Sequence, residues 1–171
     1  LKTTLVSCKI LCIINVRTSK SKKKNYNNIK GRLFLNFERR IIMKNEVIEV
    51  FKTYTEALLR GDFGAVFETM SDHIVWHMGG QSPLSGVIKG KQALGERLGE
   101  FTKRSNGTFR IITNWAASND CFVAASVVSL AERGDEKLND PGIDLFKIED
   151  GKIQEVWTFA QYQAVEDKFW E

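Results

Sequence analysis

Residues 108–160 hold four successive strand-like segments, "TFRIITNWAA", "CFVAASVVSLAE", "GIDLFKIE" and "KIQEVWTFA", and these constrain the fold more than any other feature. Each is rich in β-branched or aromatic residues, which suit a pleated, half-buried surface. Asn119-Asp120 and Asp150-Gly151 can reach the positive φ that tight hairpins require. Strands joined so closely pair antiparallel, because a parallel pair needs a long crossover. The expectation is an antiparallel meander.

The preceding region reads as helix, helix, strand, helix. In "NEVIEVFKTYTEALLRGD", Val47, Val50, Phe51, Tyr54, Ala57 and Leu58 share one helical face. Gly61 stops that helix and Asp62 caps the next, "DFGAVFETM". "HIVWHM" alternates as a strand and leads into the loop "GGQSPLSG". "KGKQALGERLGEFTKR" is a third helix with Leu94, Leu98 and Phe101 inward, and "QYQAVEDKFW" is a short final helix. Helices segregated against one face of such a sheet make an α+β domain.

Charge divides the chain near Met43. Residues 1–42 carry 11 Lys+Arg and one acid, a net +10, whereas residues 43–171 carry 14 Lys+Arg and 20 acids, a net −6. The whole-chain +4 is therefore no argument for phosphate binding by the acidic part, and no nucleic-acid or membrane partner is expected. Of three cysteines only Cys121 lies after Met43. One thiol makes no intramolecular disulfide, which fits a reducing cytoplasm, and its place in "CFVAASVV" reads as buried and inert.

Several readings compete for residues 1–42. Lys9 splits the apolar run that a secretory signal needs, "LVSC" has too few residues before it for a lipoprotein box, and a transmembrane helix is excluded by length. An organellar transit peptide fits the basic composition, and "KSKKK" could be a nucleic-acid arm or a solvated charge run. The preferred reading is that Glu38-Arg39-Arg40, encoded as GAA AGG AGG, is a translated ribosome-binding sequence. Residues 1–42 are then a disordered, non-domain leader and residues 43–171 the domain, starting at Met43.

The element order, "GD" after the first helix, "SPLSG" after the first strand and "DGKIQEVW" near the end resemble the nuclear transport factor 2-like superfamily. More narrowly, they are similar to SnoaL-like and ketosteroid isomerase-related proteins. The resemblance covers nearly all of residues 43–171 and implies a cone: a curved, mostly antiparallel sheet packed on N-terminal helices and enclosing an apolar pocket. It implies a small apolar organic ligand and a homodimer formed through the sheet. It leaves function open, because one fold hosts many activities.

Three positions carry the comparison with ketosteroid isomerases. Tyr54 stands eight residues before Asp62, His77 takes the place of the general base, and Asp144 in "GIDLFK" takes that of an oxyanion-hole acid. Thr158 and Asp144 stand where SnoaL cyclases have an acid/base Asp and a pocket His, which argues against a copied cyclase mechanism. Asp144 shares a strand face with Phe146 and Ile148, so burial should raise its pKa and keep it a hydrogen-bond donor. A neutral acid beside a Tyr can stabilise an enolate, and His77 titrates in the range useful for a base.

Each residue has a structural alternative. Tyr54 could be a core tyrosine, His77 a structural histidine bonded to the adjacent loop, and Asp144 a solvated strand-end acid. Trp76, Phe146, Trp115 and Thr158 are candidate ligand contacts, although the aromatics also suit the core. Trp157 suits the sheet interface. His73 and His77 lie four apart on a strand, roughly 13 Å, too far to share one metal ion. No metal and no cofactor is expected, and "GGQSPLSG" matches no phosphate loop. The functional expectation is an isomerase-type acid–base enzyme acting next to a carbonyl. The alternatives are a non-catalytic binding module, and a hydrolase or dehydratase of the same fold.

Overall fold

The computed structural model describes residues 46–171. The reading of residues 1–42 as a translated leader lies outside the described residues. Helix α1 (46–60) is followed by α2 (Phe63–Glu68), β1 (Met70–Met78), β2 (Gly86–Lys89), α3 (Lys91–Arg104), β3 (Arg110–Ser118), β4 (Phe122–Arg133), β5 (Glu136–Glu149), β6 (Lys152–Ala160) and α4 (Gln163–Trp170). One six-stranded sheet runs in the order β2-β1-β6-β5-β4-β3. The meander is antiparallel, but β1 pairs parallel to β6. The architecture is α+β, as the alternation of the strands and the amphipathic helices require.

Local chemistry sets the boundaries. Gly61 has φ +67 and ends α1, while the Asp62 carboxylate accepts from Ala65 N at 3.0 Å and caps α2. Asp150 and Gly151, with φ +53 and +68, form the two-residue β5–β6 hairpin. Their positive φ values match a turn whose twist follows that of the strands. In the β3–β4 turn, Asn119 Oδ1 accepts from Cys121 N and Phe122 N. Cys121 is half-exposed there rather than buried.

Two strand boundaries differ from expectation. β2 is a four-residue edge strand opposite β1, too short to show periodicity. β5 begins at Glu136, six residues before Gly142, and passes straight through Asn139-Asp140-Pro141-Gly142. That tetrapeptide reads as a turn, but β6 pairs with β5 only as far as Gly142↔Ala160. Pro141 therefore stands where β5 has β4 on one side only, as a proline in a strand must.

The core lies between the helices and one face of the sheet. Val47, Phe51, Tyr54 and Ala57 of α1 are buried against Ile74, Phe146 and Val156. Phe146 lies at ring-centroid distances of 5.1 Å from Phe51 and 5.4 Å from Tyr54. A second cluster joins Phe101, Phe169 and Trp170 to Leu84 and Leu138, with Trp170 edge-on to Phe101 at 4.8 Å. Burying rings of this kind contributes about 2–3 kcal/mol each. No helix among the described residues is long and apolar enough to cross a membrane.

Candidate active site: an apolar cavity with a row of carboxyls

A cavity of about 660 Å3 lies beside this core. Leu58, Val66, Met70, Leu98, Phe109 and Val127 give it an apolar wall. Among its polar groups are Tyr54 of α1, Trp76 of β1, Asp140 and Asp144 of β5, and Glu166 and Trp170 of α4.

Strand alternation places the β5 carboxyls. Asp140, Asp144, Phe146 and Ile148 are all buried, even-numbered residues on one face of β5. Helical spacing places the α4 groups, since Gln163, Glu166, Asp167 and Trp170 recur at i, i+3, i+4 and i+7 and all line the cavity. The loop between β1 and β2 is fastened to α4 by Asp167, whose carboxylate accepts from Gln81 N at 2.9 Å and Ser82 N at 3.3 Å. Gly80, at φ +90, meets Asp167 so closely that a Cβ there would lie 2.0 Å from Oδ1. Arg97 holds the loop's other side by donating to Ser85 O at 3.1 Å.

The carboxyls are perturbed in sequence. Burial first, and then the charge of Glu166, raise the Asp144 carboxyl to about 7. Burial first, and then the charge of Asp140, raise Glu166 to about 7. Burial also raises Asp140, partly offset by the hydrogen bond its Oδ1 accepts from Tyr162 N at 3.0 Å. Burial, and next the Asp144 charge, push the Tyr54 hydroxyl above the ordinary phenol range. Three buried polar atoms on the cavity residues have no hydrogen-bond partner: Trp76 Nε1, Asp140 Oδ2 and Trp170 Nε1. The Trp170 indole lies near enough to Glu166 to favour its ionised form, yet falls short of hydrogen-bond geometry.

Four of the seven residues singled out in the sequence line this cavity: Tyr54, Asp144, Trp76 and Thr158. Thr158 stands across from Asp144 in the β5–β6 register, and its hydroxyl donates to His77 O at 3.2 Å. The other three lie elsewhere. His77 points to the opposite face of the sheet, where Nε2 is 2.7 Å from Glu155 Oε1 and the ring stacks on Trp157 at 5.3 Å. Ile74 and Trp76 face inward, so their odd-numbered neighbour must face out. His77 is thus bonded to Glu155 rather than to the loop, on the sheet face turned away from this cavity.

Trp115 is 57% exposed and also faces out. The β3–β4 register shifts between Thr113 and Trp115, so an extra residue turns the indole away from the face that alternation from Ile111 would give it. Phe146 is core, packed beneath Tyr54 rather than on the cavity wall. Sequence reasoning missed Asp140, which lies before the expected strand "GIDLFKIE", and Glu166, within the expected final helix. The i, i+3, i+7 stripe ending in Trp170 was the signal that could have found Glu166.

A profile of the SnoaL-like domain matches residues 51–156, more than half of the chain. The protein belongs to the SnoaL-like domain family. A protein of unknown function with a cystatin-like fold from Xanthomonas campestris is 34% identical; the match covers 72% of this chain and 97% of that one, with a TM-score of 0.69. Bal32a, from a soil-derived mobile gene cassette, superposes with a TM-score of 0.71 at 22% identity, covering 75% of this chain and 99% of its own. TerC, co-crystallised with polyporic acid, has a TM-score of 0.64 at 13% identity, covering 72% and 98%. The last two show the shared fold. No curated protein matches the chain. The SnoaL-like assignment and the cavity together describe a small-molecule-binding family member.

Proposed function

We propose that this SnoaL-like protein is a cofactor-independent acid–base enzyme that moves a proton next to a carbonyl of a small, largely apolar molecule. Glu166 takes the base role that the sequence suggested for His77. Its carboxylate removes a proton from the carbon beside the carbonyl, and the electron pair moves onto the carbonyl oxygen. The Tyr54 hydroxyl and the protonated Asp144 carboxyl donate hydrogen bonds to that oxygen, and Glu166 returns the proton to carbon. The observation that carries this reading is the coupling of the two acids, in which the charge on Glu166 helps keep Asp144 protonated. The base, while ionised, thus maintains the donor.

The test is deuterium incorporation from D2O into enolisable aromatic and alicyclic ketones, followed by NMR with the full chain. Exchange should fall about 100-fold or more in Glu166→Gln. A ketone that binds in the cavity without exchanging would overturn catalysis and favour the binding-module reading. A hydrolase or dehydratase is the second reading, favoured by the third carboxyl, Asp140, and read out by 18O incorporation from water.

We infer further that two copies pair through the outer sheet face. Trp115 and Phe159, each 57% exposed, and Ile143, 37% exposed, support this. The register Trp115↔Ser126↔Ile143↔Phe159 sets them in one row. A Phe159→Asp variant should then elute as a monomer, and an unchanged native mass would overturn the dimer.

A further inference from the structure

Asp144, close enough to Tyr54 to raise its hydroxyl, and Asp140 lie four residues apart on one face of β5, at opposite ends of the row of carboxyls. Glu166 is coupled to both: its charge raises Asp144, and the charge on Asp140 raises it. Asp140 is 2% exposed, and its Oδ2 has no partner although Oδ1 is satisfied by Tyr162 N. An ionised carboxylate only accepts hydrogen bonds, so an unpaired oxygen in this setting calls for a donor.

The other charged groups around this end do not supply one. Arg60 of α1 and Arg110 of β3 border the cavity but are exposed, and neither forms an ion pair with Asp140, Asp144 or Glu166. Arg97 is engaged with Pro83 O and Ser85 O, and Arg104 with the carbonyls of Trp170 and Glu171. Asp167 is committed to the loop amides. Trp170, Phe101 and Phe109 border the same cavity, and aromatic faces attract cations.

We propose that the cavity selects an amine-bearing ligand, an apolar ring system whose ammonium group sits on Asp140 Oδ2 beside Glu166. This deepens the reading above and rests on the cavity being the ligand site. A hydroxyl would satisfy Oδ2 but leave the repulsion between Asp140 and Glu166 untouched. An ammonium does both: it donates to Oδ2 and offsets the Asp140 charge. Arrival of the ligand then lowers the Glu166 pKa and releases a proton, so the base becomes charged when the substrate is in place.

Three probes of matched shape test this with the full chain by calorimetry: tryptamine, indole-3-ethanol and indole-3-propionate. At pH 7.5 tryptamine should bind at least tenfold more tightly than the alcohol, and the carboxylate least tightly. The advantage should shrink at pH 5.5, where Asp144 and Glu166 are protonated. Tryptamine binding should release protons, seen as a heat that depends on the buffer's ionisation enthalpy. Asp140→Asn keeps an acceptor for Tyr162 N and should remove the amine preference. Should that variant fail to fold, the pH dependence on the wild type decides.

An amine no tighter than the alcohol, or a preference unchanged at pH 5.5, overturns the proposal. Binding of none of the three at millimolar concentration overturns the ligand-cavity reading beneath it. Proton transfer is judged separately by the D2O exchange.

Discussion

The carboxyl of Glu166 on α4 and that of Asp144 on β5 face one cavity, and the charge of the first is, after burial, the main cause that raises the second to about 7. Replacing Glu166 by Gln removes that charge but not the burial. The Asp144 pKa should therefore fall in Glu166→Gln yet stay above its ordinary 3.8. Carboxyl 13C NMR titration reads this directly, and an unmoved Asp144 would show the two acids to be independent.

The same acids make stability depend on pH. In the unfolded chain Asp144 ionises near 3.8, in the folded protein near 7. Its folded pKa is raised, so its contribution is full below about pH 4 and is lost as pH rises through 7. Asp144→Asn should thus be more stable than wild type at pH 8, by an amount on the order of a few kcal/mol, and gain nothing at pH 4. Urea unfolding at the two pH values checks this; parallel pH profiles would contradict it.

His77→Ala should leave ligand binding and deuterium exchange within about twofold of wild type. It removes a half-exposed hydrogen bond with Glu155 and a stack on Trp157, which together contribute about 1 kcal/mol. A tenfold loss of exchange at unchanged stability would return His77 to the reaction.

Gly80→Ala should cost about 2 kcal/mol and loosen the β1–β2 loop. The residue sits at φ +90, and a Cβ would collide with Asp167 Oδ1. Hydrogen exchange at Gln81 and Ser82, whose amides Asp167 holds, should quicken.

Phe146→Ala should cost about 3–5 kcal/mol by opening a void beneath Tyr54. Trp115→Ala, exposed on the outer face, should change monomer stability by no more than about 0.5 kcal/mol. Chemical denaturation at low protein concentration separates the two.

What the sequence revealed follows how local each signal is. The strands of the meander, the cap at Asp62 and the hairpin at Asp150-Gly151 are set by residues within a few positions of one another. Asp144 was readable because its face of β5 alternates without interruption from 142 to 149. His77 and Trp115 were misplaced because a face is defined relative to a register. Position along the chain put His77 next to the loop but did not say which side Ile74 and Trp76 would take, and a bulge before Trp115 reversed its side. Glu166 and Asp140 were hidden for a different reason. Their neighbours are distant in the chain, and a carboxylate in a helix or beside Pro-Gly looks like any solvated acid until the cavity forms around it.

Helix α4 spans eight residues, yet Gln163, Glu166, Asp167 and Trp170 border the cavity, and Asp167 also ties down the loop opposite. A sizeable share of the polar lining is thereby carried by a short tract that adds no strand to the sheet. Mutation within it can change the chemistry offered to a ligand while the strand order and its registers persist. A lineage built this way can diversify its ligands by rewriting one peptide-sized module, with the open sheet inherited intact.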